Sequence, residues 1–285
     1  MRILTFDLEE WFHLLDNPST NSEENWNNFE SRIENNLNRI LTIIKESNTS
    51  ATFFCLGWIA KKYPHLIKRI VDFNYEIACH SNNHQLAYNQ SKISFKEDLK
   101  SAKGIIEEIS GKKLKCYRVP GFSLTEKNLW ILDVLAKEGF EVDCSVFPAN
   151  RSHGGIPTFK YDRPCLIELH DRKFIKELPL NTSNFIGKKF VFSGGGYFRL
   201  IPYFVLKKLF TQSNYIMTYF HPRDFDPDQP VIKDLSLIRK FKSYYGLKNS
   251  EKKLIKIINE FNFIDVSKAV QNIDWEKAPK ISLIH

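Results

Sequence analysis

Short apolar runs alternate with longer amphipathic stretches through the first half of the chain. The runs have the length and composition of strands, and the stretches between them repeat apolar residues about every 3.6 positions, as on one face of a helix. The predicted strands are residues 2–6, 51–57, 75–79, 115–119 and 141–146. The predicted helices are residues 29–46, 58–73, 94–109 and 126–139.

Several helix boundaries carry local signals. Ser94 and Glu97 form a capping-box pattern at the start of the third helix, and Thr125 is a candidate N-cap for the fourth. Pro64 lies in the middle of the second helix, where a missing backbone donor predicts an interruption.

Strands separated by helices predict parallel β/α units with right-handed connections. The five units before residue 147 favour a barrel over an open nucleotide-binding sheet, because no G-x-G-x-x-G follows any of the strands. A late apolar run at 215–220 predicts a further strand. We predict one domain over 1–285, in which residues 150–200 form irregular loops and hairpins.

The composition narrows the classes of partner. With 42% hydrophobic and 26% charged residues, the chain resembles an ordinary globular protein. Its net charge of +8 favours anionic partners such as phosphorylated substrates or a membrane surface. Nucleic acid is a poor candidate because the chain has no arginine-rich run or nucleic-acid motif. No apolar run is long enough to span a bilayer, so we expect at most peripheral membrane contact.

The cysteines point to a reducing compartment. They are odd in number, widely spaced and free of any C-x-x-C pair, so we interpret them as reduced, small apolar residues. They are Cys55, Cys79, Cys116, Cys144 and Cys165. The chain enters its first strand directly from Met1, without the basic and apolar regions of a signal peptide, and we therefore expect a cytoplasmic protein.

Reactive side chains follow several of the predicted strands. In a parallel barrel the carboxyl ends of the strands meet at one face, so these side chains are expected to cluster there. They are Asp7, Glu9 and Glu10 after the first strand, His80 and His84 after the third, Arg118 near the end of the fourth, and His221 and Asp224 after the late strand.

The H-x-x-x-H spacing of His80 and His84 favours a metal site. If the turn is helical, residues four apart lie on one face, and two imidazoles with one carboxylate make a three-ligand site. The alternative is a pair of surface histidines beside an Asn-rich turn, and the acids after the first strand weigh against it. Asp7 and Glu9 point to the same side of an extended segment, so one of them can bind the metal while the other acts as general base. Glu10 should point away, as a solvated or salt-bridged acid.

Two further residues have candidate roles in acid–base chemistry. Arg118 can hold a carboxylate in a bidentate pair and so orient a catalytic acid, and the alternative is a structural ion pair. His221 can act as a general acid oriented by Asp224, although a histidine at a strand end is also a common structural residue. The glycines of "SGGG" at 193–196 favour a close backbone approach over a phosphate loop, because no Lys-Ser or Lys-Thr follows them.

The motifs "TFDLEEW", "HSNNH", "RVPGF", "DCSVFP" and "YFHPRDFDP" occur in this order between residues 3 and 267. Together they resemble the motifs of polysaccharide deacetylases, the NodB-homology or carbohydrate esterase family 4 proteins. The resemblance is strongest to a subgroup linked to bacterial exopolysaccharide and O-antigen synthesis. It implies an α/β fold, a distorted (β/α) barrel with fewer than eight regular strands.

The resemblance also implies one divalent metal, zinc first, with cobalt, nickel and manganese as alternatives. Its ligands would be Glu9, His80 and His84, with Asp7 as the general base. Many family members have two adjacent aspartates in the first motif, whereas this chain has Leu8 at the second position. The choice between Asp7 and Glu9 as the carboxylate ligand is therefore open.

The remaining implied roles concern acid catalysis and substrate binding. Arg118 would orient the base, and His221 would protonate the departing amine. Pro120, Phe122 and Tyr197 are expected to contact the substrate.

The resulting hypothesis is a metal-dependent hydrolase that removes an N-acyl group, first of all acetyl, from an amino sugar. We expect a nucleotide- or lipid-linked precursor as substrate, since its diphosphate would suit the positive net charge. The alternatives are a deformylase or cyclic-amide hydrolase on the same fold, and a catalytically inactive sugar-binding homologue.

Overall fold

The computed structural model describes residues 1–185 and 187–283. Its strands are β1 (Arg2–Ile3), β2 (Thr5–Leu8), β3 (Thr52–Cys55), β4 (Glu76–Cys79), β5 (Cys116–Tyr117), β6 (Val142–Asp143), β7 (Cys165–Glu168), β8 (Phe174–Glu177), β9 (Ser183–Phe185), β10 (Lys188–Phe190), β11 (Ile216–Met217) and β12 (Lys280–Ser282). Its helices are α1 (Glu23–Trp26), α2 (Ile33–Glu46), α3 (Gly57–Lys62), α4 (Pro64–Asp72), α5 (Lys92–Ser110), α6 (Trp130–Lys137), α7 (Gly195–Leu200), α8 (Tyr203–Gln212), α9 (Leu237–Tyr244), α10 (Leu247–Glu260) and α11 (Val266–Asn272).

A mostly parallel sheet organises the fold, in the strand order β12-β7-β8-β6-β5-β4-β3-β2. Every neighbouring pair is parallel except the β7–β8 hairpin. On the far side of the first strand, β11 pairs in parallel with β1. The β/α alternation predicted from the apolar runs is therefore confirmed, and so is the break between α3 and α4 at Pro64.

The sheet curves into a distorted barrel whose described strands form no closed backbone ladder. The segment that follows β8 is connected to β11 by side-chain hydrogen bonds and not by a backbone ladder. The Met217 N–H donates to Asn181 Oδ1 over 3.1 Å, and the Tyr215 hydroxyl donates to the Pro179 carbonyl over 2.7 Å. A proline has no backbone N–H to offer a neighbouring strand, which is one reason why a regular ladder stops here.

The glycine run before α7 brings two backbones together, as its composition predicted. Gly194 forms a parallel bridge with Tyr219. A Cβ at this position would lie only 2.3 Å from the Tyr219 carbonyl oxygen. Only glycine allows this approach, which attaches the segment before α7 beside the late strand.

The predicted cap of α5 is wrong by three residues. The helix begins at Lys92, and Ser91 is its N-cap, whose hydroxyl accepts the Ser94 N–H over 3.1 Å. Ser94 and Glu97 consequently lie inside the helix. The helix extends one turn further toward the amino terminus than the capping box predicted, and Ser91 satisfies a backbone donor of its first turn.

The predicted start of α6 is also wrong, because the helix begins at Trp130. Asn128 Oδ1 accepts the Thr125 N–H over 2.6 Å and the Thr125 hydroxyl over 2.9 Å. This side-chain-closed turn competes with helix formation over the intervening residues. Similarly, α2 begins at Ile33 and not at residue 29.

The region 150–200 contains the predicted hairpins, β7–β8 and β9–β10. The first of them belongs to the main sheet, since β8 also pairs in parallel with β6. All five cysteines are free and buried. None of the described helices combines the length and the apolar content needed to cross a bilayer.

Candidate active site

The carboxyl ends of β2, β3 and β4 lie at the same level of the sheet. Leu8 is in register with Cys55, and Cys55 is in register with Cys79. Glu9 and His80 are each the next residue along their strands, so the parallel register alone places both at one edge. Both side chains are buried there.

His84 reaches the same point through an irregular loop, and the helical turn expected from its spacing is wrong. Ser81 and His84 have positive φ angles of 71° and 49°, which reverse the chain direction. The Asp98 carboxylate holds the loop from below, accepting the N–H groups of Asn82 and Asn83 over 2.8 and 3.0 Å. The two imidazole rings converge with their centroids 5.5 Å apart.

Glu9, His80 and His84 form a compact set of potential metal ligands. Glu9 Oε1 lies 2.9 Å from His80 Nε2 and 2.8 Å from His84 Nε2. His80 Nδ1 lies 2.8 Å from the Arg118 carbonyl, which can only accept, so Nδ1 carries the proton. In the neutral imidazole this leaves a lone pair on Nε2 facing a carboxylate oxygen, an arrangement that a cation bound by both atoms would stabilise.

His84 gives a second indication of the same kind. Its Nε2 is buried and makes no hydrogen bond, although a carboxylate oxygen lies at hydrogen-bonding distance. Burial alone would raise the pKa of Glu9, but the charges of His84 and His221 outweigh it and hold that pKa well below its usual range. An ionised carboxylate and two imidazole nitrogens, with room for further ligands, fit a divalent cation such as zinc.

Asp7 is held by Arg118 on the inner side of this set. Arg118 Nη1 lies 2.6 Å from Asp7 Oδ1, and the same nitrogen donates to the Thr5 hydroxyl over 2.8 Å. Arg118 is fully buried, with its guanidinium carbon 4.0 Å from the centre of the Phe54 ring. The pair uses one nitrogen and not the bidentate fork that the sequence suggested, because Arg118 Nε turns toward the Cys144 carbonyl at 3.3 Å.

His221 faces both carboxylates from the opposite side. Its Nε2 lies 3.8 Å from Asp7 Oδ2 and 4.0 Å from Glu9 Oε1. Its Nδ1 lies 3.1 Å from Asp224 Oδ2, and its backbone N–H donates to the same oxygen over 2.9 Å. Asp224 thus fixes the ring so that Nε2 points at the acids, as predicted for an orienting residue.

The charges around His221 keep it protonated. Burial would lower its pKa, but the charge of Glu9 and the hydrogen bond to Asp224 outweigh burial and raise the pKa of His221 to about 9. Burial would likewise raise the pKa of Asp224, yet the charge of Arg199 lowers it to about 2. Arg199 forms a buried ion pair with the other oxygen of Asp224.

Arg199 and His13 are site residues that the sequence analysis did not single out. Arg199 lies in "GGGYFRL", 25 residues before its partner Asp224. His13 packs against His84 and Trp26, with ring centroids 5.8 and 4.3 Å away. Burial lowers the pKa of His13 well below its usual value, so it stays neutral. Only its closeness in sequence to the acids of the first motif could have indicated it.

Glu10 points away from the site, as expected, but it is buried and not solvated. Its carboxylate accepts the N–H groups of Arg32 and Ile33 over 3.2 and 3.3 Å and a hydrogen bond from the Ser31 hydroxyl. It therefore caps the start of α2, where unpaired backbone donors and the helix dipole favour a negative charge.

The three predicted substrate contacts lie outside the wall of the cleft. Pro120 and Phe122 are buried in a short 3-10 turn, and Gly121 between them lines the cleft. Tyr197 is half exposed on α7 beside Phe190, with ring centroids 5.8 Å apart. Their contact with a substrate stays a prediction.

Glu9, His84 and His221 open into a cleft of about 540 Å³. Its wall is rich in cationic residues from four separate segments, which are the loop at 151–153, α7, the turn at 222–225 and α9. The cleft is lined by Glu9, His13, Leu14, Leu15, Asp16, His84, Gly121, Arg151, Ser152, His153, Gly195, Arg199, His221, Arg223, Asp224, Arg239, Lys242 and Ser243.

Comparisons of the sequence divide the chain into two matched segments. Residues 18–142 match the family model for polysaccharide deacetylase, and residues 144–271 match a domain of unknown function (DUF3473). A peptidoglycan-N-acetylglucosamine deacetylase of Bacillus cereus is 29% identical over 103 residues, which are 36% of this chain and 38% of that protein. The peptidoglycan-N-acetylmuramic acid deacetylase PdaA of Bacillus subtilis is 29% identical over 82 residues, 29% of this chain and 31% of that protein. The matches thus span well under half of each curated relative.

Comparisons of the structure extend over more of the chain. A Mycobacterium smegmatis protein, provisionally assigned as a polysaccharide deacetylase, has a TM-score of 0.67 at 18% identity, covering 99% of this chain and 93% of its own. A family 4 carbohydrate esterase pseudoenzyme of Bacillus anthracis has a TM-score of 0.51 at 14% identity, covering 100% and 69%. Puue allantoinase has a TM-score of 0.56 at 14% identity, covering 83% and 71%. At these identities the likeness concerns the fold alone.

Proposed function

Because the chain belongs to the polysaccharide deacetylase family, we propose that it is a metal-dependent hydrolase that removes an N-acetyl group from an amino sugar of a glycan or glycan precursor. One observation carries the proposal. A carboxylate–diimidazole cluster lies within 4 Å of a histidine that also faces a second, arginine-held carboxylate. These are the parts that hydrolysis of an amide requires: a cation site, a base and an acid.

Glu9, His80 and His84 would hold the cation, with zinc as the first choice and cobalt, nickel or manganese as alternatives. A cation bound there supplies Lewis acidity toward the acyl carbonyl and lowers the pKa of a water molecule. The protein's own part is to fix the three ligand atoms. The Arg118 carbonyl sets the tautomer of His80, and the short hydrogen bonds to Asp98 hold the loop that carries His84.

Asp7 is placed to act as the general base. Its Oδ1 is engaged by Arg118, while its Oδ2 faces the cleft side, 3.8 Å from His221 Nε2. The engaged oxygen fixes the carboxylate plane, so that the other can accept a proton from an attacking water. Arg118 is a positioning residue in this scheme, since it contacts the base and not the substrate.

His221 is placed to act as the general acid. Asp224 accepts the Nδ1 proton, which leaves the protonated Nε2 directed at the cleft. Nε2 lies about 4 Å from both carboxylates, too far for a direct hydrogen bond, so these acids do not engage its proton. From this position Nε2 can donate its proton to the departing amine nitrogen.

The pH profile of catalysis should depend on Asp224. A general acid is active only while it is protonated, so activity is retained below the pKa of His221 and lost above it. Asp224→Asn removes a negative charge that raises this pKa, and we expect the alkaline limb of the kcat/KM profile to move to lower pH. Asp228→Asn is the matched control, since it removes an exposed acid from the same loop. An unmoved limb in Asp224→Asn, with intact circular dichroism, would contradict the assignment of His221.

The proposed reaction is tested by product analysis. Zinc-loaded protein is incubated with a panel of N-acetylated sugars that includes nucleotide-linked, lipid-linked and peptidoglycan substrates, and free acetate is measured. We expect acetate from at least one member, and its loss with a chelator and in His80→Ala. His65→Ala, a half-exposed histidine on α4, should leave activity unchanged. Formate or a ring-opened product would instead identify a deformylase or cyclic-amide hydrolase. Stoichiometric zinc with no product from any substrate would identify an inactive homologue.

We place the reaction in the cytoplasm, on a precursor carried by a nucleotide or a lipid. The positive net charge and the cationic wall of the cleft support a phosphorylated carrier. Peptidoglycan, the substrate named for the relatives from Bacillus, is the competing choice in the panel.

A further inference from the structure

Arg223 is an unpaired cation in the wall of the catalytic cleft. Its residue is only 7% exposed, and its Nη2 is buried without a hydrogen-bond partner. Among the described residues its guanidinium makes no ion pair, although Asp224 is the next residue along the chain. The two oxygens of Asp224 are already committed, one to Arg199 and the other to His221.

A buried guanidinium of this kind is energetically unfavourable unless an anion pairs with it. A buried guanidinium without a carboxylate loses its hydration and gains no compensating pair. Burial lowers the pKa of Arg223, and the neighbouring charge of Arg199 lowers it further. The nearest aromatic ring, that of Tyr244, lies 5.7 Å from the guanidinium carbon and supplies only a weak cation–π contact.

Among the described residues, three more cations without an ion pair line the same cleft, and one of them, Arg239, donates to the backbone carbonyls of Leu15 and Asp16. Arg151 is packed over the rings of Phe122 and Phe147, with its guanidinium carbon 5.0 and 5.1 Å from their centres. Lys242 projects from α9 and is exposed. Neither side chain forms an ion pair with any of the described residues. The aromatic packing holds the Arg151 side chain in place before any ligand arrives.

The acids in the cleft do not neutralise these cations. Glu9 belongs to the cation site, and Asp224 is shared between Arg199 and His221. Asp16 pairs with His153 over 2.7 Å. The cleft wall therefore carries net positive charge that is available to an anionic group of the substrate.

We propose that Arg223, with Arg151 and Lys242, forms an oxyanion subsite beside the catalytic centre, and that the amino sugar carries a carboxylate or phosphate group that binds there. That the substrate is an amino sugar rests on the proposed function, whereas its anionic group is inferred from these side chains. A guanidinium fork matches two oxygens of either group, and a charged pair in a buried position is selective against neutral sugars.

The test measures binding and needs no turnover. The full-length, zinc-loaded protein is titrated calorimetrically with inorganic pyrophosphate and, separately, with glucuronate. We expect saturable binding of at least one probe, weakened at least about tenfold in Arg223→Gln. Arg172→Gln is the matched control, because it removes an exposed, remote guanidinium with the same loss of charge. Tighter pyrophosphate binding would indicate a phosphate-bearing carrier, and tighter glucuronate binding an acidic sugar.

The zinc content and circular dichroism of each variant are measured as well. Variants with equal zinc content share any direct contact between the probe and zinc, so a difference in their affinities reflects the substituted side chain. If Arg223→Gln does not fold, the exposed Lys242→Gln carries the comparison with Arg172→Gln, with an expected weakening of at least about twofold. The subsite would be overturned if the cleft variant, Arg223→Gln or Lys242→Gln, bound the probes as tightly as Arg172→Gln. It would also be overturned if neither probe showed saturable binding. Binding that depends on Arg223 in a protein that releases no acetate would leave the subsite standing and remove the proposed reaction.

Discussion

Glu9→Gln is expected to lose the divalent cation and with it the activity, whereas Asp7→Asn should keep the cation and lose only the activity. Glu9 Oε1 lies within 2.9 Å of both imidazole nitrogens, so the neutral amide removes the one anionic ligand of the cluster. One carboxylate oxygen of Asp7 instead accepts a hydrogen bond from Arg118. We expect the metal affinity of Glu9→Gln to fall by more than about 100-fold, since even outer partners of metal ligands cost about 10- to 100-fold. The kcat of Asp7→Asn should fall by about 10²–10⁴.

The measurements are zinc stoichiometry by mass spectrometry, zinc affinity by competition with a chelating dye, and acetate release. Glu34→Gln, a half-exposed acid on α2, serves as the control for loss of one negative charge. The reverse result, zinc lost from Asp7→Asn and retained by Glu9→Gln, would assign the ligand to Asp7. These two variants therefore identify the carboxylate ligand of the cation, which the sequence leaves open because Leu8 stands at the second position of the first motif.

Arg118→Gln should be among the most destabilising single substitutions in the protein. Arg118 is fully buried, and it contacts Asp7, the Thr5 hydroxyl and the Cys144 carbonyl. Its removal leaves a buried carboxylate without its counter-ion, which costs about 3–5 kcal/mol. Urea unfolding of the zinc-loaded protein measures the loss as a lower midpoint at constant slope.

Two comparisons separate this effect from a general loss of charge. Arg172→Gln breaks an exposed pair with Glu168 and should leave the urea midpoint nearly unchanged, because solvent screens such a pair. The double variant Asp7→Asn/Arg118→Gln should be more stable than Arg118→Gln alone, because the carboxylate charge that loses its partner is removed as well. Equal stability of Arg118→Gln and the native protein would mean that the pair contributes nothing to the fold.

Local pattern was sufficient for the order of the elements before residue 147 and for the edge of the sheet that carries the candidate site. Apolar runs at strand spacing predicted β2 to β6, and Pro64 predicted the break between α3 and α4. The parallel arrangement followed from the intervening helices, and it placed the residues after the strands at one edge. Local pattern was wrong at the starts of two helices. Ser91 caps α5 in place of Ser94, and the turn closed by Asn128 delays α6.

The sequence by itself determined which reactive residues this protein has and that they follow successive strands of one parallel sheet, because strand and helix periods depend on neighbours within a few positions. Only the tertiary structure decided their partners. Arg118 meets Asp7 across 111 positions, and Glu9, not Asp7, faces both imidazoles. Glu10 caps a helix, and Arg223 has no ion-pair partner among the described residues although Asp224 is adjacent to it. Side-chain direction at a strand end depends on register and on loop conformation, and these are fixed by contacts between segments far apart in the chain.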